Sequence, residues 1–550
     1  MLKRWRADDL QRVPSNWPAL QAEGRQRLLL AIGLSAVLQA LLAGLMAVGV
    51  RWSFQALHQK SGLPVGAILM ILGAGVFFAA LRWAERVQSE RVGQAYVHSL
   101  RLALLKHLSA LPFEAMTWRH QGHVMQRLSG DMTAVRQWVG RGITRLLSAA
   151  ISLPILSLLM ILWFPPVLAL GVLLPVLAAL LVTLPLALSL QGRYRHLGRA
   201  RSRLSATVAE RLPHLQALRQ SGRQKREALM VDQLGQRVMQ AAVQRQAASA
   251  LLRVAPDVLR GVALAWVLAG SFWVGAAPAD TAACLAALGL MMPMVRDLGN
   301  VADRYAAWRI ARQRLWHWLG LPRLQAAKAA TERPATAASE TDLMVLKEIQ
   351  FGSVDAFSAD IAPGRKIVIS GEPGSGKSHL IRILAGLSAP LTGQVLFGWV
   401  GRQRPVVRHL SAHSPILSGS LRRALTLGCR HRADDEHVLA MAHRFDLTRL
   451  LERLGGLDGR LAENGANLTS HELRRVLLVR AALSDADLLL VDDLDDLVDS
   501  QTQAAWSECM SRASAAMVFV SQDKQMHALA DEIWLIGHDH VTVHHKSCEV

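Results

Sequence analysis

Long apolar runs in the first half of the chain constrain its fold more than any other feature. The first run, Leu28 to Val50, is uncharged and is about as long as a helix that crosses a hydrocarbon core of ~30 Å. The fifth run contains Arg260 near its start, where a long side chain can reach the membrane interface. The runs predict six transmembrane helices, at about residues 28–50, 63–81, 146–163, 167–190, 258–276 and 281–295.

The composition agrees with a membrane domain joined to a polar one. Hydrophobic residues make up 51% of the 550 residues, which is high for a soluble protein with 19% charged residues. A chain of this length exceeds one compact core, so we expect at least two domains. The four cysteines form no CxxC pair, which argues against a zinc ribbon or a disulfide framework. The basic N-terminus lacks a short apolar segment with a cleavage site, so we expect no removable signal peptide.

The formal net charge of +20 has two interpretations. It suits a nucleic acid or an anionic lipid as partner, or it reflects the excess of Lys and Arg on the cytoplasmic loops of a membrane protein. We favour the second, because the connections at residues 82–145 and 191–257 are long and basic whereas the others are short. Helical spacing of apolar residues continues through both long loops. We therefore predict a multi-pass protein of the cell inner (cytoplasmic) membrane, with both termini and both long loops in the cytoplasm and no nucleic-acid partner.

The pattern changes after residue 321. Residues 322–341 are rich in Ala, Thr, Glu and Pro and lack apolar periodicity, which is typical of a linker. From Asp342 the pattern becomes strand-like and then alternates as in an α/β domain. We predict a transmembrane domain at residues 1–321, a linker at 322–341 and an α/β domain at 342–550.

One glycine-rich segment determines the chemistry of the α/β domain. It follows a β-branched run that ends at Ser370 and precedes a helical pattern that begins at His379, which is the context of a phosphate-binding loop. In such a loop, backbone N–H groups and the positive end of the helix face the phosphates. The lysine reaches the β/γ-phosphates and the serine hydroxyl binds Mg²⁺. The predicted ATP-binding residues are Gly371, Glu372, Pro373, Gly374, Ser375, Gly376, Lys377 and Ser378.

A second segment supplies the carboxylate that such a site needs. The apolar run Leu488 to Val491 is followed by Asp492 and Asp493. A buried strand that ends in Asp492 is suited to hold Mg²⁺ beside the phosphates. We therefore predict ATP and Mg²⁺ as cofactors, with Ser378 and Asp492 as the metal ligands.

With these motifs, nearly the whole chain resembles an ATP-binding cassette (ABC) exporter of the half-transporter type, which must dimerise. The resemblance implies a membrane α-helical domain followed by an α/β P-loop NTPase domain of ABC type. Residues 122–131, Gly-His-Val-Met-Gln-Arg-Leu-Ser-Gly-Asp, also resemble the first coupling segment of those exporters. In that family two nucleotide domains enclose two ATP molecules, and their closure moves the membrane helices. Gly371, Gly374, Gly376, Lys377 and Ser378 match the Walker A loop, and Asp492 matches the Walker B aspartate.

The resemblance also reveals departures at the positions that support hydrolysis. Asp493 stands where the family has a catalytic glutamate, and a geometry error near ~1 Å can lower a rate on the order of 10²-fold. Gln522 stands where a switch histidine is expected, and an amide cannot carry a proton or a positive charge. The glutamine-loop position falls on Ala412 or His413. We predict Asp493 as a weak catalytic base and Gln522 as a neighbour of the γ-phosphate.

Two further departures concern nucleotide contacts. Leu468 to Glu472 occupies the place of the signature sequence Leu-Ser-Gly-Gly-Gln. Thr469 keeps a hydroxyl, but Ser470 and His471 replace two glycines and would hinder close backbone approach to the γ-phosphate bound by the partner. Thr469 and Ser470 are nevertheless predicted nucleotide contacts. The base-stacking aromatic of the family falls near residues 352–353, which are Gly and Ser, so adenine loses a stacking face.

Other signals have simpler explanations. Histidines near the C-terminus could bind a metal, but Val541 to Val543 alternates like a strand, which favours surface histidines. Acidic residues at 495–499 suit a dimer-contact loop better than a metal cluster. Aromatic residues such as Trp163 and Trp273 could line a substrate cavity, although interfacial anchoring is favoured. Basic segments at 193–195 and 221–226 suit either anionic lipid headgroups or solvated helix faces.

Together the motifs predict an ATP-binding subunit of an exporter-like transporter. It would couple ATP binding, and weak hydrolysis, to substrate translocation as a homodimer or as a heterodimer with a second half-transporter. We favour a heterodimer whose other subunit carries a better base. The alternative is a regulatory or structural membrane protein in which ATP binding, with negligible turnover, fixes one conformation.

Overall fold

The computed structural model describes residues 17–22, 24–117, 127–324, 342–398, 405–412, 414–429, 433–492, 499–522 and 524–545. It divides into two compact units. The first comprises Met1–Ser109 and Thr117–Leu321, and the second comprises Ala110–Met116 and Pro322–Val550. Residues 325–341, which make up most of the predicted linker, lie outside the described ranges.

Helices form the first unit. Two π-helical turns, Arg127–Asp131 and Trp138–Ile143, flank one of its short helices and lead into a long one, and a 3₁₀ turn lies at Leu212–His214. The α-helices up to residue 319 are α1 (Arg25–His58), α2 (Val65–Leu108), α3 (Phe113–Thr117), α4 (Met132–Gln137), α5 (Thr144–Trp163), α6 (Pro166–Arg211), α7 (Leu215–Gln220), α8 (Gln224–Val274) and α9 (Pro278–Leu319).

In α1 small apolar residues are buried and a large one is exposed, which is the reverse of the pattern in a soluble helical bundle. Its buried face carries Ala36, Ala40, Ala43 and Ala47, each at most 1% exposed, whereas Leu30 is 67% exposed. Small residues allow close approach of helices where lipid, rather than water, surrounds the bundle. Large side chains that point outward are then solvated by acyl chains. The pattern therefore identifies a membrane-embedded helix.

Four helical segments of the described chain are long and apolar enough to cross a membrane. They are Arg25–His58, Val65–Leu108, Leu128–Trp163 and Pro278–Leu319, and a shorter apolar segment lies at Pro166–Val182. The predicted runs fall on α1, α2, α5, α6, α8 and α9 apart from one or two end residues. A multi-pass helical membrane domain is thus present, while the count of six spans stays a prediction for α6 and α8.

The helix that carries the sixth predicted span continues beyond residue 295. The residues of the span predicted at 281–295 and those that follow up to Leu319 form one continuous helix, α9. Pro293 lies inside this helix. Proline is tolerated within a membrane helix because packed neighbours and local adjustments satisfy the freed backbone groups.

The second unit contains eleven described strands and seven helices beyond α3. The strands are β1 (Met344–Phe351), β2 (Val354–Ile361), β3 (Lys366–Gly371), β4 (Thr392–Phe397), β5 (Val407–Ser411), β6 (Gly419–Ser420), β7 (Arg460–Leu461), β8 (Leu488–Asp492), β9 (Ala516–Val520), β10 (Glu532–Ile536) and β11 (Val541–His545). The helices are α10 (Lys377–Leu384), α11 (Leu421–Leu425), α12 (Asp435–Arg444), α13 (Thr448–Leu454), α14 (Ser470–Ala482), α15 (Ser500–Arg512) and α16 (Lys524–Leu529), with a 3₁₀ turn at Glu463–Gly465.

The larger sheet positions the candidate site. Its strand order is β11-β10-β3-β9-β8-β5, in which β11 is antiparallel to β10 and the other pairs are parallel. Every residue of β8 and β9 is buried, as expected for parallel strands covered on both faces. Because the carboxyl ends of parallel strands share one edge, β3 and β8 deliver Gly371 and Asp492 to the same edge.

A smaller antiparallel sheet, ordered β2-β1-β4, completes the strand-rich part of the unit. The side chains of β1 and β3 contribute to one apolar cluster that includes Phe351, Ile369 and Trp534. Trp534 is fully buried there, and its ring meets Phe357 edge-on, with 5.2 Å between the ring centroids. The pairing of β10 with β11 confirms the predicted strand at Val541–Val543.

The segment Ala110–Met116 packs into the second unit although it follows α2. The backbone N–H of Phe113 donates to the carbonyl oxygen of Leu387 at 2.9 Å, and the hydroxyl of Ser388 donates to the carboxylate of Glu114. The segment therefore contacts the turn that follows α10.

The segment that resembles a coupling segment, residues 122–131, lies further along the chain, and its role stays a prediction. Residues 118–126 lie outside the described ranges, and Asp131 belongs to the first unit, where Nη1 of Arg314 lies 3.4 Å from its carboxylate. The segment Ala110–Met116 leaves the helical path because α2 ends at Leu108 and Pro112 disfavours continuation of that helix.

Candidate nucleotide-binding site

The loop between β3 and α10 needs its glycines. Gly371, Gly374 and Gly376 have φ angles of +149°, +88° and +101°, which side-chain-bearing residues rarely adopt. A Cβ atom on Gly371 would lie 2.5 Å from the carbonyl oxygen of Ile536. Three positions of the predicted loop are therefore ones that only glycine satisfies without strain.

Lys377 is folded back over this loop. Its Nζ donates to the carbonyl oxygen of Gly371 at 2.7 Å and to that of Glu372 at 2.8 Å. The hydroxyl oxygen of Ser375 is buried and has no hydrogen-bond partner within the described chain. A buried hydroxyl without a partner, inside a loop of positive-φ glycines, fits a bound phosphate oxygen.

The two predicted metal ligands are in contact. Oγ of Ser378 donates to Oδ1 of Asp492 at 2.8 Å, and Asp492, the last residue of β8, is 8% exposed. Hydroxyl and carboxylate oxygens are the protein ligands that Mg²⁺ accepts when phosphate oxygens supply the rest of its shell. The residues present therefore fit a Mg²⁺ ion bound beside a triphosphate.

A pocket of about 560 Å³ opens beside this loop. It is lined by Pro373, Gly374, Gly376 and the first residues of α10, together with Arg382 and residues 520–522. Gln522, predicted to approach the γ-phosphate, is exposed at this lining. The structure thus brings the predicted loop and Gln522 to one cavity.

Two histidines near the pocket were not predicted as site residues. His379 lines the cavity directly after Ser378, and burial lowers its pKa. His409 lies on β5 opposite Leu490 of β8, and burial lowers its pKa although the carboxylate of Asp492 acts in the opposite sense. His379 could have been recognised from the sequence, because it directly follows the phosphate-binding motif. His409 could not, because its position near the end of β8 results from the pairing of β5 with β8.

The remaining predicted hydrolysis residues are only partly described. Asp493 and His413 lie outside the described ranges. Ala412 follows β5, and the backbone N–H of Ser411 beside it donates to Oγ of Ser414 at 2.9 Å. The catalytic role of Asp493 therefore stays a prediction.

Thr469 and Ser470 do not line the pocket of their own chain in the part that the structure describes. They are exposed, with His471, at the start of α14. Thr469 accepts a hydrogen bond from the backbone N–H of Glu472 at 3.2 Å, and Oε2 of Glu472 accepts one from the N–H of Thr469 at 2.8 Å. This capping box satisfies two backbone N–H groups at an exposed helix start.

Two alternative metal sites receive no support from the described residues. Within those ranges, no group of three or more His, Cys, Asp or Glu side chains could hold a metal ion. Asp495, Asp496 and Cys548 lie outside them. Burial would raise the pKa of Asp499, but hydrogen bonds from Thr502 and Arg475 lower it to about 2, which suits its place as the N-cap of α15.

Comparison with known proteins identifies the class. Residues 28–291 match the ABC transporter transmembrane region, and residues 354–495 match the ABC transporter family. The two matches cover well over half of the chain. The chain belongs to the ABC transporter family, as a multi-pass half-transporter of exporter type that carries its own ATP-binding domain.

Individual relatives are distant. The chain is 28% identical to the mycobactin import ATP-binding/permease protein IrtB of Mycolicibacterium thermoresistibile over 40% of each chain. It is 24% identical to the ATP-dependent lipid A-core flippase of Thiobacillus denitrificans, covering 79% of this chain and 77% of the flippase. The fold is similar to that of a bacterial Atm1-family ABC exporter with ATP bound, with a TM-score of 0.79, 18% identity, and coverage of 92% of this chain and 94% of the exporter.

Proposed function

We propose that this chain is one half of a dimeric, ATP-dependent exporter of the cell inner membrane that binds ATP·Mg²⁺ and hydrolyses it slowly. The hydrogen bond from Ser378 to Asp492 carries the proposal, because it joins the glycine loop to the end of β8 in one cradle. Lys377 would hold the β/γ-phosphates, and Ser378 and Asp492 would hold the metal. The Mg²⁺ ion, when bound, neutralises charge on the phosphates.

Slow hydrolysis is inferred from the residues that would act on water. The carboxylate of Asp493 is one methylene shorter than that of glutamate. Gln522, at the pocket lining, can donate and accept hydrogen bonds but cannot take a proton. Ala412 lacks the amide that would orient water or metal at the end of β5.

Coupling to the membrane helices would run through the segment Ala110–Met116. The guanidinium group of Arg382 lies 5.0 Å from the ring centroid of Phe113, and the helix that carries Arg382, α10, begins at Lys377. Because α10 is a short helix, a movement of the glycine loop on nucleotide binding would displace its far end as well. The displacement would then reach the segment that follows α2 directly.

We infer that a second nucleotide domain faces Thr469, Ser470 and His471. Their exposure at a helix N-terminus suits contact with a phosphate held by another chain. The side chains of Ser470 and His471 would keep that backbone further from the phosphate than glycines would. A partner half-transporter with a better base, giving a heterodimer, is the arrangement that retains useful turnover.

The transported substrate is inferred to be amphipathic. The flippase relative is matched over most of its length, and its name states a lipid A-core substrate.

Phe272 and Trp273 at the end of α8 are 88% and 80% exposed, which suits aromatic anchors at a membrane interface. They are thus interpreted as anchors, not as the lining of a cavity.

The test is the ATPase activity of the purified full chain in lipid nanodiscs, alone and with a candidate second half-transporter. Asp493→Glu should raise turnover, whereas Asp458→Glu, at a residue whose side chain is 85% exposed, should leave it unchanged. If the longer acid leaves turnover unchanged, the account of slow hydrolysis is wrong. If ATP binds but neither turnover nor lipid movement occurs with any partner, the regulatory alternative holds.

A further inference from the structure

The ring of His379 occupies an unassigned part of the nucleotide pocket. His379 is the third residue of α10, is half-buried and lines the cavity next to the glycine loop. It meets the ring of Phe351 edge-on, with 6.3 Å between the ring centroids and 88° between the ring planes. The imidazole is therefore held in place by a packed neighbour.

The place where an aromatic ring would be expected to stack on the base holds none. Gly352 forms the turn between β1 and β2 with a φ of +61°, and Oγ of Ser353 donates to the carbonyl oxygen of His538 at 2.7 Å. Phe351 is fully buried beneath the loop and cannot reach a ligand. Among the described residues that line the pocket, His379 alone carries an aromatic ring.

The direction of His379 separates it from the phosphate-binding groups. Lys377 and Ser378 point toward the loop carbonyls and toward Asp492, respectively. Each residue of a helix is rotated by about 100° from the one before it, so His379 lines the cavity from a different side than Ser378. The part of the nucleotide that remains for it is the nucleoside.

We propose that the imidazole ring of His379 packs against the purine base of bound ATP and replaces the missing stacking ring. The inference rests on the proposed function, because it takes ATP to be the ligand of this pocket. Phe351, whose ring plane lies at 88° to the imidazole, contacts His379 at the wall of the cavity and would keep its ring in place beside a planar base. His379 is thus a residue that determines affinity for the nucleoside but not for the phosphates.

The test compares two ligands on the full chain in nanodiscs with Mg²⁺: ATP, which has a base, and inorganic tripolyphosphate, which has none. His379→Ala should weaken ATP binding about tenfold, within the range that base–aromatic stacking supplies, and should leave tripolyphosphate binding unchanged. His379→Phe should restore ATP affinity to within about threefold of the parent value, since a phenyl ring keeps the flat face. His437→Ala, at an exposed histidine of α12, is the matched control and should change neither affinity.

Three outcomes would overturn the proposal: unchanged ATP affinity in His379→Ala, an equal loss for ATP and tripolyphosphate, or a folded His379→Phe protein that binds ATP as weakly as the alanine variant. Lys377→Ala separates this inference from the proposed function. If Lys377→Ala loses both ligands while His379→Ala loses neither, only the role of His379 is refuted. If Lys377→Ala binds ATP as firmly as the parent chain does, or the parent chain binds no ATP, the proposed function itself fails.

Discussion

Replacing Asp492 with asparagine should abolish the Mg²⁺ dependence of ATP binding while the nucleotide domain stays folded. The amide oxygen of the new side chain would still accept the hydrogen bond that Ser378 donates at 2.8 Å. The loss in folding free energy is therefore expected to stay below about 1 kcal/mol, the scale of one neutral hydrogen bond. What disappears is a negative charge on a residue that is 8% exposed, where water screens the metal poorly.

The effect on binding follows from the same contact. Removing the charge of a hydrogen-bonded or metal-bound group weakens the binding free energy by roughly 1.5–3 kcal/mol, which is about 10- to 150-fold in Kd. The assay is titration of the full chain in nanodiscs with ATP, once in excess Mg²⁺ and once in EDTA. The parent chain should bind more tightly with Mg²⁺, and Asp492→Asn should show nearly equal Kd values under the two conditions.

The control is Asp458→Asn, which removes a carboxylate with 85% side-chain exposure and should keep the full Mg²⁺ effect. Ser378→Ala combined with Asp492→Asn should cost less than the sum of the single losses, because the two groups act on one ion. The reasoning is refuted if Asp492→Asn retains the whole Mg²⁺ effect, or if it weakens binding equally in EDTA.

Three further predictions concern stability of the nucleotide domain. Gly371→Ala should destabilise it by about 2 kcal/mol or more, read as a lower melting temperature, because the new Cβ would lie 2.5 Å from the carbonyl oxygen of Ile536. Thr469→Ala should cost about 1 kcal/mol through loss of the capping box, read as a lower melting temperature of the chain without nucleotide, and an unchanged melting temperature would contradict this role of the capping box. The pKa of Asp499 is lowered to about 2, below its ordinary value of about 3.9, so the stability it contributes is present above pH ~4 and is lost as pH falls toward 2. Asp499→Asn should flatten the dependence of the melting temperature on pH between about 4.5 and about 2.5, and an unchanged slope would exclude this role.

The phosphate-binding loop was predictable because its requirements are local. Positive φ angles at Gly371, Gly374 and Gly376 follow from the residue type, and strand, loop and helix are adjacent along the chain. The meeting of Ser378 with Asp492 was also predictable, since two parallel strands of one buried sheet end at the same edge. Motif spacing and sheet topology were sufficient for both.

Other features depend on contacts between residues far apart in sequence. Nothing in the local pattern shows that the segment Ala110–Met116 packs against Leu387 and Ser388. His379 likewise gains its significance from a ring, Phe351, that belongs to another strand. Pairings of this kind are set by tertiary packing, which single-sequence periodicity does not encode.

Hydropathy predicted that the first unit enters a membrane but not which face of each helix is buried. In α1 the alanines are inside and Leu30 is outside, the reverse of a soluble bundle. Helical periodicity reveals a buried face only where polar and apolar residues alternate around the helix, and the apolar run of α1 offers almost no polar residues for such a contrast. The distinguishing variable is side-chain size, because lipid solvates leucine as well as a neighbouring helix does.

The distribution of intact and altered positions argues for binding over turnover. The groups proposed to hold a triphosphate lie within one chain and are joined by hydrogen bonds, from Lys377 to two loop carbonyls and from Ser378 to Asp492. The altered positions either act on water, as Asp493 and Gln522 would, or face a second chain, as Ser470 would. If these residues hold ATP as proposed, the chain would bind the nucleotide and move α10 without hydrolysis. Hydrolysis, and with it release of the nucleotide, would then depend on groups that the partner supplies. Adding a competent second half-transporter should therefore raise turnover more than any single repair within this chain.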